Sequence, residues 1–160
     1  MTPAVDVTVR AAERDDVVLL SEAHRLAQAA VADVRGGNLD TLLRGRGEPI
    51  EATFEHDLET PEHYVWVGTA DGLVVGYCVL RLQQLRSEES LGVVTDLWVH
   101  PKARGIGVGY SLMREATDTA TEKGCSGIDA RALPGDRETK NFFESFGLVA
   151  RVIDVHKSLP

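Results

Sequence analysis

The chain has 160 residues, enough for one domain with a full core. With 43% hydrophobic and 26% charged residues it reads as an ordinary globular protein, and no apolar run approaches a membrane span. A formal charge of −8 argues against nucleic acid as a partner and suits a cationic small substrate.

The N-terminus, Met-Thr-Pro-Ala-Val-Asp, has neither a basic start nor an apolar stretch, so no signal peptide is visible. Cys78 and Cys125 lack metal-ligand spacing and read as free thiols of a reducing cytoplasm. The five histidines show no i, i+4 pair on a helix, so no metal site is expected.

Asp6–Arg10 alternates and predicts a first strand. Leu19, Ala23, Leu26 and Ala30 recur at helical spacing and predict a helix over 16–33 with those residues inward. The glycine-rich stretch 35–49 reads as a long loop with a helical turn, and 50–59 as a short helix. Tyr64–Gly68, the turn Asp71-Gly72 and Leu73–Leu82 predict a hairpin. Leu91–Val99 is a further apolar strand.

Next come His100-Pro101, a short basic loop, glycines at 105, 107 and 109, and a helix over about 107–123 with Leu112, Ala116 and Ala120 on one face. A strand 127–131, a helix 136–146 stopped by Gly147, and a strand Val149–His156 complete the chain.

The strand-to-helix turn at 100–109 is the most informative segment. It exposes backbone N–H groups at a helix N-terminus, where the dipole favours negative charge, and its glycines let an anion approach. Arg104 adds a cation at the mouth, so the natural guest is a phosphate or pyrophosphate. A dinucleotide fingerprint fits worse. Gly105-Ile-Gly107 begins G-x-G-x-x-G and Asp129 lies about 20 residues on, but Tyr110 stands at the third glycine.

Arg104, Gly107 and Gly109, after Leu97-Trp98-Val99-His100-Pro101, resemble the coenzyme A loop of the GNAT family of N-acetyltransferases. Val9-Arg10-Ala11-Ala12 and the 136–148 stretch are also family-like, so the resemblance spans nearly the whole chain. It implies a single α/β domain of the α+β type over 1–160: one mixed, mainly antiparallel sheet of about six to seven strands, about four helices, and two central parallel strands that splay apart. It implies acetyl-CoA as cosubstrate with no metal. The acceptor would be a small-molecule or protein amine, with no nucleic acid, no membrane, and a homodimer left open. The catalytically weak alternative is a CoA-binding sensor.

By the same resemblance, main-chain groups of Leu97, Trp98 and Val99 hold the pantetheine arm, and one N–H stabilises the oxyanion. N–H groups from Arg104 through Gly105, Ile106, Gly107 and Val108 to Gly109 take the pyrophosphate. Lys102 reads as a plain surface lysine. Asn141 and Phe143 of the last helix belong to the cofactor side, with Phe143 where family members often carry a tyrosine acid. Asp96, in an apolar strand beside the expected thioester, is the candidate base, with burial expected to raise its pKa. Glu88 and Glu89 could act through water, and Tyr110 or Tyr77 is a substitute acid.

Overall fold

The computed structural model describes residues 3–160. Five strands form one sheet in the order β1-β2-β3-β4-β5: Val7–Ala11, His63–Ala70, Leu73–Gln84, Ser90–Val99 and Gly127–Asp129. The first four are antiparallel neighbours, and β5 runs parallel to β4. Five α-helices accompany them: α1 Val17–Val31, α2 Gly37–Arg44, α3 Ile50–Glu59, α4 Val108–Glu122 and α5 Arg137–Ser145.

The β2–β3 turn follows from its two residues. Asp71 and Gly72 have φ of 48° and 82°, the left-handed pair that matches hairpin twist. The sheet separates two cores. On one face Val108, Leu112, Met113, Ala116 and Ala120 of α4 pack on Trp66, Cys78, Leu80 and Val94. On the other, Val17 and Leu20 of α1 and Ile50 and Phe54 of α3 cover Val65, Val67, Tyr77 and Val79. Helix α4 lies close because Gly68 faces it; a Cβ there would stand 2.6 Å from Val108 Cγ1.

Three expectations are corrected. Helix α1 buries Val17, Leu20, Ser21 and His24, whereas Leu19 and Leu26 are about half exposed. The run Val17-Val-Leu-Leu20 is apolar on every side, so its periodicity does not choose a face. The helical turn expected within the 35–49 loop is an eight-residue helix, α2. The predicted strand 149–156 is absent: residues 149–160 carry no regular structure, and Val149, Ile153 and Val155 are largely exposed. β-Branched residues favour a strand only when a neighbour pairs with them, and none does here. The described sheet therefore has five strands rather than six or seven, and the described residues form five α-helices rather than about four.

Candidate active site

The site is built by one irregularity in β4. The register pairs Val94 with Leu80 and Asp96 with Val79, which leaves Thr95 as a bulge. Strict alternation from Val94 would put Asp96 on the α4 face, among apolar side chains. The bulge absorbs Thr95 and sends Asp96 to the α1/α3 face instead. Beyond it, Leu97 and Val99 pack on the α4 side and Trp98 on the other.

The bulge also marks where β4 and β5 part. Parallel pairing covers Leu91–Val93 with Gly127–Asp129 and stops there. His100 N–H donates to Val75 on the β3 side, 2.7 Å. By ladder alternation Leu97 and Val99 turn their main-chain groups the opposite way, into the gap that β5 has left. Trp98 main-chain groups face β3, and its carbonyl lies on Gly76. Of the three residues expected to hold an extended guest, Leu97 and Val99 are so placed and Trp98 is not.

At the end of β4 a short turn, Pro101–Ala103, leads into α4. Gly105 and Gly107 have φ of 80° and 98°, the left-handed region, and Gly107 caps the helix. Among the described residues, none of the six N–H groups from Gly105 to Tyr110 donates to another protein group. The nest thus runs through Gly105, Ile106, Gly107, Val108, Gly109 and Tyr110. It begins one residue later than expected, because Arg104 N–H bonds Pro101. The Arg104 side chain folds back, its Nε donating to the Val99 carbonyl at 3.2 Å, with Glu138 3.8 Å from Nη1.

On the α1/α3 face, Asp96 anchors a buried polar cluster. Arg46 grips it with Nε at 3.0 Å and Nη2 at 3.2 Å; Tyr77 Oη donates at 3.2 Å and Thr95 Oγ1 at 2.7 Å. His24 Nδ1 stands 3.4 Å from Asp96 Oδ2 and 3.1 Å from Tyr77 Oη. Arg46 reaches on to Asp57 at 2.7 Å, and Asp57 also binds His63 at 2.7 Å and Arg81 at 3.0 Å. The Arg46 guanidinium lies 3.8 Å above the Phe54 ring.

This corrects the expectation for Asp96. Burial by itself raises its pKa, but the His24 ring and the Arg46 guanidinium outweigh burial and hold it far below its ordinary 3.8. Burial, reinforced by the Asp96 charge, pushes the Tyr77 hydroxyl upward, so it stays protonated.

A stability consequence follows. The folded Asp96 value lies below the unfolded one, so the unfolded chain binds more protons on acidification. Its contribution is complete above about pH 4 and is lost as pH falls toward the folded value. Asp16, held down by Arg10, and Asp129, held down by Arg151, act in the same direction. Melting temperature is expected to fall steadily below about pH 4, and Asp96→Asn to flatten that dependence. An equal slope in the variant would remove Asp96 as its source.

Other expected residues lie elsewhere. Glu89 is hydrogen-bonded to Ser87 in the turn before β4. Leu97 is eight positions on, about 25 Å along an extended strand, so neither Glu88 nor Glu89 reaches the gap through a single water. Tyr110 is exposed on α4, its ring 5.0 Å from Phe146, beside a surface groove shared with Val7 and Val9. Asn141 is exposed on α5.

Phe143 is buried in the α4-side core, so it is a packing residue and not a vacant acid position. Phe143→Tyr is therefore expected to cost about 1–3 kcal/mol of stability, for a hydroxyl without a partner, and to leave turnover unchanged. A clear rate gain in that variant would place the ring at the leaving group.

Sequence reasoning missed His24 and Arg46. His24 sits at the i+7 position of the buried stripe starting at Val17, a stripe that the all-round apolar run Val17–Leu20 does not single out. Nothing local marks Arg46, which meets Asp96 across 50 positions. Among the described residues, no cluster of His, Cys, Asp or Glu could hold a metal, and no helix is long and apolar enough to cross a membrane.

Several solved structures share this fold. BH1408 of Bacillus halodurans, as a tetramutant, is 17% identical with a TM-score of 0.81, over 95% of this chain and 99% of its own. An aminoglycoside acetyltransferase, meta-AAC0020, from an uncultured soil metagenomic sample and in complex with sisomicin, is 18% identical with a TM-score of 0.72, over 96% and 97%. A Trypanosoma brucei acetyltransferase, Tb11.01.2886, is 19% identical with a TM-score of 0.68, over 96% and 100%. No curated protein matches the sequence. The model of the acetyltransferase (GNAT) family matches residues 31–148, and the chain belongs to that family.

Proposed function

We propose that this protein transfers an acetyl group from acetyl-CoA to an amine by direct attack in a ternary complex. The observation that carries the reading is a junction within β4. An anion nest and a stretch of strand with no strand beside it lie at its end, where Arg104 Nε covers only the Val99 carbonyl, and a buried acid cluster begins at its bulge. The N–H groups of Gly105–Tyr110 suit the pyrophosphate. The outward groups of Leu97 and Val99 suit the pantetheine amides, and one of those N–H groups suits the oxyanion. Asp96, one residue before Leu97 in β4, accepts from Tyr77 and lies 3.4 Å from His24 Nδ1 on the α1/α3 face.

The acceptor is read as an amine from the family and the charge. An overall −8 favours a cationic substrate, and the sisomicin-bound neighbour acts on an aminoglycoside, as its name states. Such amines have pKa near ~10.4 and arrive as ammonium ions, so a proton must leave before attack. Both small-molecule and protein amines fit these terms.

The test is thiol release from acetyl-CoA with a panel of aminoglycosides, polyamines, amino acids and lysine peptides, run beside calorimetric binding of acetyl-CoA. Release with at least one class supports the reading. Tight binding with no acceptor-dependent release would leave a CoA-binding protein without turnover.

A further inference from the structure

The Asp96 carboxylate is occupied. It accepts hydrogen bonds from Arg46 Nε, Arg46 Nη2, Tyr77 Oη and Thr95 Oγ1. With these donors and the Arg46 charge upon it, it has no lone pair facing an incoming proton and no affinity for one near neutrality. One group in the cluster has the opposite character. His24 is buried, and its Nε2 has no hydrogen-bond partner among the described residues. A buried ring nitrogen left unsatisfied costs stability and needs a reason.

The surrounding donors decide which form His24 takes. Tyr77 is protonated and gives its hydrogen to Asp96. Its oxygen is then free to accept from His24 Nδ1, 3.1 Å away. Asp96 Oδ2 also draws hydrogen toward Nδ1 from 3.4 Å. Both neighbours select the Nδ1–H tautomer, which leaves Nε2 as a bare lone pair. Among the side chains that reach Asp96 only His24 offers a basic nitrogen: Arg46 is a cation, and the other imidazole of the cluster, His63, turns its Nδ1 to Asp57.

We infer that His24 Nε2 is the proton acceptor for the amine, with Tyr77 and Asp96 holding the opposite edge of its ring. The inference rests on the acetyl-transfer reading above. The ammonium gives one proton to Nε2, and the freed nitrogen lone pair forms the bond to the thioester carbonyl carbon. When the carbon–sulfur bond breaks, its electron pair leaves on sulfur. The second proton shed by nitrogen ends on that sulfur, and His24 returns its proton to solvent. Asp96 stabilises the imidazolium in between.

His24→Gln is expected to lower kcat by about 100-fold or more, with acetyl-CoA affinity within a few-fold of wild type. The acidic limb of the pH–rate profile should disappear. A folded His24→Gln protein with kcat within threefold and an unchanged profile would overturn the inference. A second arm needs no activity: ¹⁵N chemical shifts of His24 in the wild-type protein at pH 7.5. The Nδ1–H tautomer is expected there, and a shift toward Nε2–H in Asp96→Asn. An Nε2–H tautomer in the wild type would refute the proton-acceptor role. A wild type inert toward every amine would instead count against acetyl transfer itself, while the tautomer still decides for His24.

Discussion

Gly107→Glu is expected to weaken acetyl-CoA binding by at least about 100-fold in a protein that still folds. Position 107 has φ of 98°, and a Cβ there meets nothing within 4 Å. The substitution therefore brings backbone strain of about 1–2 kcal/mol but no clash. Its carboxylate would lie at the mouth of six unpaired N–H groups, where the pyrophosphate is read to bind. Two like charges about 5 Å apart at an effective dielectric near 20 repel by about 3 kcal/mol, which is roughly 100-fold in affinity. Gly107→Asn separates strain from charge, since asparagine tolerates the left-handed region. Calorimetry with acetyl-CoA, beside thermal melts, reads both variants. Unchanged affinity in a folded Gly107→Glu protein would move the cofactor elsewhere.

Asp57→Ala is expected to be the most destabilising single truncation in the acid cluster. Asp57 has no exposed surface, and Arg46, His63 and Arg81 all lie within 3.0 Å of it. Removing it leaves the buried Arg46 with Asp96 alone and deprives Arg81 and His63 of their shared partner. Breaking a buried ionic pair from one side costs about 3–5 kcal/mol, because the surviving charge keeps its desolvation penalty. For a chain of this length that is a fall of roughly 6–20 °C in melting temperature. The same change loosens the segment between α2 and α3 that carries Arg46, so activity should fall as well. A loss below about 1 kcal/mol would mean that this cluster does not hold that segment against the sheet.

The legible parts of this molecule were those whose cause is local. The turn at 100–109 announces itself because glycine, proline and a strand-to-helix change fall within ten positions. The Asp71-Gly72 hairpin is legible for the same reason. What stayed hidden depends on a distant partner. The depressed pKa of Asp96 comes from Arg46 and His24, and neither is near it in sequence. The segment 149–156 has every intrinsic preference for a strand and no neighbour to pair with. Phe143 looked like a lost acid by its position in a motif, whereas its surroundings make it part of the core.

The bulge at Thr95 has a consequence for how such a cleft can arise. An uninterrupted β4 could stay zipped to β5, and the sheet would close over the place where a thioester is read to lie. The extra residue lies two positions beyond Val93, the last β4 residue paired with β5. Side chains beyond the bulge keep the faces they would have had without the extra residue, so it does not exchange inside for outside.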